Sequence, residues 1–476
     1  MADLHSIPLP SYPAGSHNFL KRLRRDGPGS NAVVNGDLKP EGLDIAIVGA
    51  GVGGLAAAIA LKREGFKVTV YENAPALSEI GAGIQVPPNS ARLLHSWGLE
   101  ASLSKHSVKP KGLLWRRWQD GREIGHARLN PQFSKWFGAP YYVIHRAHLH
   151  DILHQRAREL GVDVVLNCKV VEYDPDKPAF TTGTGSTVTA DLIIGADGEN
   201  LGLRSVARRA LLGNKYTGPV SCGLAAYRAT VKREEMEADP DTAWVAESNS
   251  LNLWVGDNTH AMTYCIAGGR LFNMVLTHPE TKSPETWDQT NALSEMKAVY
   301  AGWDPSLRKL LDMVSGTQKW PIQSVEIPSS WTSDSGRLAL LGDAAHAMLP
   351  NMALGAAMAV EDAATLAACL KAYPRKETLR PALDIYEKLR IPRTRAIQEA
   401  SVLHGYTLHY PDGPLQEARD AAMKPEVEGE HFIESPNQWS DPATQLFCYD
   451  YDPISEVDNE VRHLKSNGSP THENHG

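Results

Sequence analysis

The stretch from Asp44 to Glu72 constrains this chain more than any other. It opens with a short apolar run, Asp44-Ile-Ala-Ile-Val48, and passes through Gly49-Ala-Gly51-Val-Gly53-Gly54. An Ala/Leu-rich segment then runs to Glu64, with Gly65 placed to end it, and a β-branched run follows from Lys67 to Tyr71. A run like the first fits a strand buried on both faces of a parallel sheet. The glycines allow a tight turn, close backbone approach to a pyrophosphate, and close packing of helix on strand. The helix start adds unpaired N–H groups and the positive end of its dipole. Glu72, 18 residues after Gly54, ends the second strand, where a carboxylate can accept both ribose hydroxyls of an adenosine. Strand, turn, helix, strand and acid in this order predict a βαβ dinucleotide site built on Gly49, Gly51, Gly54 and Glu72. The fingerprint does not separate NAD from FAD.

Composition narrows the partners. The formal net charge of -8 argues against nucleic acid, whose phosphates want a basic face. The one basic cluster, Lys21, Arg22, Arg24 and Arg25, lies in a Pro/Gly/Ser-rich leader and reads as solvated. Five scattered cysteines with no CxxC pair support neither a zinc ribbon nor a disulfide framework and point to a reducing compartment. Residues 1–40 lack the apolar core of a signal peptide. The longest apolar stretch, Leu338 to Leu370, is broken by Asp343, His346, Glu361 and Asp362, so no membrane helix is expected. A cytoplasmic protein with no membrane partner, monomer or homodimer, is the expectation.

Two later segments separate the cofactors. Residues 191–205 place Asp197-Gly198 just after a strand, with Arg204 beyond. Residues 338–363 place Gly342-Asp343 at a strand end, Pro350 seven residues after the aspartate, and Gly355-Ala356 at a helix start. Asp343 can accept a hydroxyl from a ribityl chain. The helix start at Gly355 and Ala356 can face a flavin pyrimidine edge, which becomes anionic on reduction and is stabilised by a helix dipole.

These three segments, in this order, resemble the group A FAD-dependent aromatic monooxygenases, the family of para-hydroxybenzoate and salicylate hydroxylases. The likeness runs from about 44 to 400, with a weaker echo near Leu446–Asp452. Ile80-Gly-Ala-Gly83-Ile-Gln-Val-Pro-Pro-Asn89 and Gly355–Ala363 have the texture of fungal aromatic-polyketide-pathway members. The resemblance implies FAD contacts at Glu72, Gly83, Arg146, Asp343 and Ala356, and places Asp197-Gly198 near the pyrophosphate and NAD(P)H. It implies that FAD, reduced by NAD(P)H, meets O2 to form a C4a-hydroperoxide that hydroxylates a small phenolic or aromatic-acid substrate in a secondary-metabolite pathway. The family often carries Gln where this chain has Leu354.

The expected fold is α/β. A discontinuous FAD-binding domain (43–217 and 326–400) receives an inserted, mostly antiparallel β-sheet substrate domain (218–325). Alternating segments there include Ala243–Ala246, Leu251–Val255, Met262–Ile266 and Leu271–Leu276. A helical or irregular region follows (401–454), between a disordered extension (1–42) and a disordered tail (455–476).

Two residues of the inserted sheet are catalytic candidates. A guanidinium at Arg228 suits a phenolate or carboxylate, and Tyr264 can hydrogen-bond the same oxygen; the resemblance supplies an arginine and a tyrosine in those roles. Without it, Arg228 reads as a surface strand residue and Tyr264 as a core aromatic. His346 invites a general-base role against that of a histidine packed beside the flavin phosphates or ribityl chain. Pro350 reads as a wall beside the flavin ring or as a turn-maker. His145, His148, His150 and His154 around Asp151 lack the Glu-x-x spacing of a zinc helix and read as faces of an amphipathic helix. Trp244 and Trp254 line an aromatic pocket or pack a core. Rival functions are a dearomatising or decarboxylative hydroxylase, an epoxidase or a halogenase of the same fold, or a flavin-fold protein that binds without turnover.

Overall fold

The computed structural model describes residues 42–77, 82–174, 176–198 and 205–467. The expected extension over residues 1–41, the tail beyond 467, and Ile80, Gly81 and Arg204 lie outside them.

Five parallel strands form the nucleotide-binding layer: β1 (Asp44–Val48), β2 (Lys67–Tyr71), β7 (Asp163–Val165), β8 (Leu192–Gly195) and β14 (Leu338–Leu340), in the order β14-β8-β1-β2-β7. Helices α1 (Val52–Arg63) and α5 (Gly355–Ala372) pack on this layer. The alanine-rich face of α1, with Ala56, Ala57 and Ala58 wholly buried, lets the two approach. A Cβ on Gly53 would stand 2.9 Å from Leu341 and 3.2 Å from Ala359, so glycine there sets the packing distance.

The second layer has seven strands. β9 (Val220–Lys232), β10 (Leu251–Gly256), β11 (Thr259–Ile266), β12 (Leu271–Pro279) and β13 (Gln318–Ser324) come from the expected insertion. The order is β13-β9-β12-β11-β10-β4-β5. Its last two members, β4 (Gly112–Arg117) and β5 (Glu123–Arg128), come from the stretch assigned to the first domain. β4 runs parallel to β10, Leu251 opposite Leu113, and every residue of β4 is buried, so the sheet needs this distant segment to close its core.

Three further expectations are corrected. Ala243–Ala246 is helical, within Pro240–Glu247; the Asp239 side chain accepts from the Asp241 N–H and Pro240 takes the first helical position, two start signals that override the alternation. Residues 455–467 are not a loose tail: α7 (Pro453–Asn467) buries Val457 and Val461 in the first layer's core. The domain boundary at 400 falls inside α6 (Leu379–Leu408).

A buried ionic quartet joins α5 to α6. Arg390 donates to Asp362 and Glu361, each at 2.7 Å, and Arg393 grips both Glu361 oxygens at 2.7 and 2.8 Å. All four residues are less than 5% exposed. Asn89, on α2 (Pro88–Ser96), donates to Glu361 at 2.7 Å, and Arg393 donates to the carbonyls of Phe447 and Cys448. The Leu446–Asp452 echo is therefore the segment that closes this cluster. Burial pushes both carboxyls up, but Arg393 and Arg390 beside Glu361, and His346 and Arg390 beside Asp362, hold them below their ordinary values.

Arg390→Ala leaves two buried carboxylates under-compensated, at a cost of about 3–5 kcal/mol, read as a lowered urea midpoint. Because the folded carboxyl values are depressed, their stabilisation is full above the unfolded values of about 4 and falls away as pH drops through the folded ones. An unchanged midpoint contradicts this.

Candidate active site and cofactor cradle

The glycine turn is held from several sides. Gly49 has φ +104°, and a Cβ there would lie 2.3 Å from the Ala196 carbonyl oxygen. A Cβ on Gly54 would lie 1.9 Å from the Gly49 oxygen, whereas one on Gly51 would meet nothing within 4 Å. Gly49 and Gly54 thus permit the turn, and Gly51 leaves its backbone open to a ligand. Glu72 accepts from the Ala50 N–H at 2.7 Å and from the Ala74 N–H at 2.8 Å. These bonds fix the carboxylate beside the turn while each oxygen keeps acceptor capacity for ribose hydroxyls. His150 meets the Ala50 carbonyl at 2.7 Å through Nε2. Its part in bracing the turn lies across 100 residues and gives no local sequence signal.

The other cradle residues cluster at the same edge. Gly49, Glu72, Asp197 and Asp343 each follow the carboxyl end of a strand in the parallel layer, where open α/β sheets bind ligands. Asp343 is exposed and its turn is tightly set. Asp362 accepts from the Gly342 N–H at 3.1 Å, and Arg208 donates to the Ala345 carbonyl at 3.0 Å. Gly355 and Ala356, part-exposed, begin α5, whose first turn holds no acid. Arg146 begins α3 (Arg146–Glu159), its N–H bonded to the Ala82 carbonyl at 3.1 Å.

Asp197 serves the fold as well. It accepts from Ser205 Oγ and from the N–H groups of Val206 and Ala207, at 2.5, 2.9 and 3.0 Å. It thereby anchors the start of α4 (Val206–Leu212). Burial raises its pKa, against the pull of these donors. His346 is wholly buried, paired with Asp362 at 2.6 Å and packed against Trp331. That geometry places it in the ionic cluster as a packed histidine.

The seven-stranded sheet turns one face to this cradle. Strand registers align Arg228, Val275 and Met262 in one row, with Asn273 and Tyr264 in the next. The Gly83 N–H donates to Asn273 Oδ1 at 2.7 Å, and a Cβ on Gly83 would lie 2.4 Å from the Tyr264 ring. Gly83, on β3 (Gly83–Val86), is glycine so that Tyr264 can lie against it. Gln85, two residues on, accepts from the Tyr141 hydroxyl at 2.5 Å and faces the Tyr264 hydroxyl. Leu349 packs on Ala226 and Ile322 of the same sheet, bringing the exposed Pro350 over this region.

Arg228 is the unusual group. Its Nε is buried without a hydrogen-bond partner, and among the described residues it forms no ion pair with a carboxylate. Burial and the neighbouring Arg146 lower its pKa, partly offset by Tyr264. Burial pushes the Tyr264 phenol up, opposed by Arg228 and Gln85. A part-buried guanidinium beside a second cation, with donor capacity to spare, favours an anionic guest.

The remaining candidates are packing groups. Trp254 lies in the core on the opposite face from Tyr264, donating to Asp304 at 2.7 Å, and Trp244 stacks on Arg116. Among the described residues no group of histidines, cysteines and acids can hold a metal, and no helix is long and apolar enough to cross a membrane.

The cradle's open glycine backbone, exposed Asp343 and fixed Glu72 fit FAD as the group they would hold. This is the architecture of a flavin-dependent monooxygenase. The profile described as "FAD binding domain" matches residues 42–401. FAD-dependent monooxygenase OpS4 of Beauveria bassiana (strain ARSEF 2860) is 37% identical over 429 residues, 89% of this chain and 99% of that protein. The 3-amino-4-hydroxybenzoate 2-monooxygenase PtnB3 of Streptomyces platensis is 35% identical over 381 residues, 80% of this chain and 92% of that protein. The crystal structure of CtdE in complex with FAD and substrate 4 superposes with a TM-score of 0.74 at 25% identity, covering 89% of this chain and 100% of that one. The chain belongs to the FAD-dependent aromatic monooxygenase family, and its cofactor is FAD.

Asp343→Ala should yield folded but poorly flavinated protein: an exposed side chain changes stability by only about 0.5 kcal/mol, while the cofactor loses an acceptor. Flavin absorbance per mole of protein, with circular dichroism alongside, checks this; full flavin content removes Asp343 from the cradle.

Proposed function

We propose that the protein uses NAD(P)H and O2 to hydroxylate a small phenolic or aromatic-acid substrate, held as an oxyanion by Arg228 with Tyr264 beside it. The observation that carries the reading is the part-buried, carboxylate-free guanidinium of Arg228 on the sheet face turned toward the cradle. When bound, reduced FAD supplies the activated oxygen. The chain's own part is to bind, ionise and orient the ring.

A guanidinium in a low-dielectric site favours the ionised phenol, which makes the ring carbons ortho and para to the oxygen electron-rich. Tyr264, kept protonated by burial, donates to that oxygen while Gln85 and Gly83 hold its ring in place. The Pro350 loop and Met352 roof the sheet face and limit water. OpS4, named as an FAD-dependent monooxygenase, supports the reaction class, and PtnB3, named for a hydroxybenzoate, supports the substrate class.

In a panel of salicylate- and orsellinate-like acids, at least one should stimulate NAD(P)H oxidation and gain one oxygen atom by mass. Arg228→Ala should lower kcat/KM for it by about ten- to a hundredfold while FAD content stays normal. Near-normal turnover by that variant, or no stimulation by any phenol, overturns the reading.

A further inference from the structure

One end of the sheet face collects buried polar atoms that the chain itself leaves unsatisfied. His404, on α6, is wholly buried, yet neither ring nitrogen has a hydrogen-bond partner. Gln438 Oε1 is likewise unpartnered. The Trp439 indole N–H points toward the Tyr141 hydroxyl without reaching hydrogen-bond distance. These three residues line one narrow recess with Met352 and Tyr449. Leaving one buried polar group unpaired costs about 1–3 kcal/mol, so several around a single recess call for a guest.

The recess adjoins the aromatic site. Ser401 donates to the Leu349 carbonyl at 2.7 Å, and Asn351 donates to the Ser401 carbonyl at 2.9 Å. These bonds pin α6 to the Pro350 loop and set His404, a turn further on, near Met352. From the other side, Trp439 faces Tyr141, whose hydroxyl donates to Gln85, which faces Tyr264. Trp115, edge-on to His404 at 5.6 Å, stands on β4, two strands from Tyr264 on β11. At a spacing of roughly 4.8 Å per strand that is about 10 Å, within reach of a substituted aromatic anchored at Tyr264.

The guest's chemistry follows from the donors. Burial, His409 and Arg419 push the His404 pKa down to about 3, so the ring is neutral and offers one donor and one acceptor. Arg419, the nearby cation, is occupied by Asp420 and the Thr407 carbonyl. Gln438 Oε1 accepts and Trp439 donates. This uncharged, mixed set suits a group that both donates and accepts. The recess is closed to a water-sized group as it stands, so a guest group enters as a substituent with a shift of the Met352 or the part-exposed Gln438 side chain.

We propose that His404, Gln438 and Trp439 form a specificity subsite for a neutral hydrogen-bonding substituent, a hydroxyl or carboxamide, on the aromatic ring anchored at Arg228 and Tyr264. The inference rests on the phenol-binding reading above.

The test titrates the FAD-loaded protein with ortho, meta and para sets of hydroxybenzamide, hydroxybenzoate and isopropylphenol, following the flavin's visible absorbance. In at least one set the amide should bind about tenfold or more tighter than both the isopropyl isostere and the carboxylate. His404→Phe and Gln438→Leu should each bring the amide-to-isopropyl ratio near one. Bound FAD confirms folding, and part-exposed Gln438 serves if the His404 variant does not fold. Phenols that bind without the amide preference, or a preference that survives in the folded variants, overturn the subsite alone. If no phenol perturbs the flavin, the phenol reading fails and the subsite falls with it.

Discussion

The buried quartet of Glu361, Asp362, Arg390 and Arg393 is the contact on which the cofactor cradle depends. Two carboxylates and two guanidiniums balance in charge, which is what makes their full burial tolerable. The quartet does more than join α5 to α6. Asp362 also holds the Gly342 N–H and His346, so the turn carrying Asp343 is set by the same group that sets α5. Arg393 reaches the carbonyls near Cys448, and Glu361 reaches Asn89. Segments far apart in sequence thus converge behind the loop that carries Asp343.

On the other side of the cradle the decisive contact is steric. Gly83 gives up its side chain to the Tyr264 ring, and its N–H goes to Asn273. That close approach locks the small β3 strand onto the seven-stranded sheet and presents Tyr264 beside Arg228. The electrostatics agree with the packing. Charges inside the ionic quartet are compensated, whereas the Arg228 charge, among the described residues, is not. An uncompensated cation of this kind is what the proposed oxyanion-binding role of Arg228 rests on.

The first βαβ unit was legible because its signals are local: strand, glycines, helix and Glu72 lie within one short stretch. The Gly342-Asp343 and Gly355 segments were legible for the same reason. What escaped was long-range. β4 gives no sign that its partner is β10, and His150, Gln85, Tyr141 and Asn273 join the site only through contacts across the fold. Ala243–Ala246 alternates like a strand, yet the Asp239-Pro240 start signal makes it helical. Val457 and Val461, spaced one helical turn apart, were enough to dock a segment whose polarity reads as a loose tail. The partner that packs His346, Asp362, lies a further 16 residues along the chain and gave no local signal.

The most direct measurement is the electron density of a crystal grown with FAD. Density for the adenosine end at Glu72, the pyrophosphate over Gly51, and the flavin ring between Asp343 and the Arg228–Tyr264 face is the expected result. A flavin whose ring points away from the seven-stranded sheet, or a cradle that takes up no cofactor, would contradict the account.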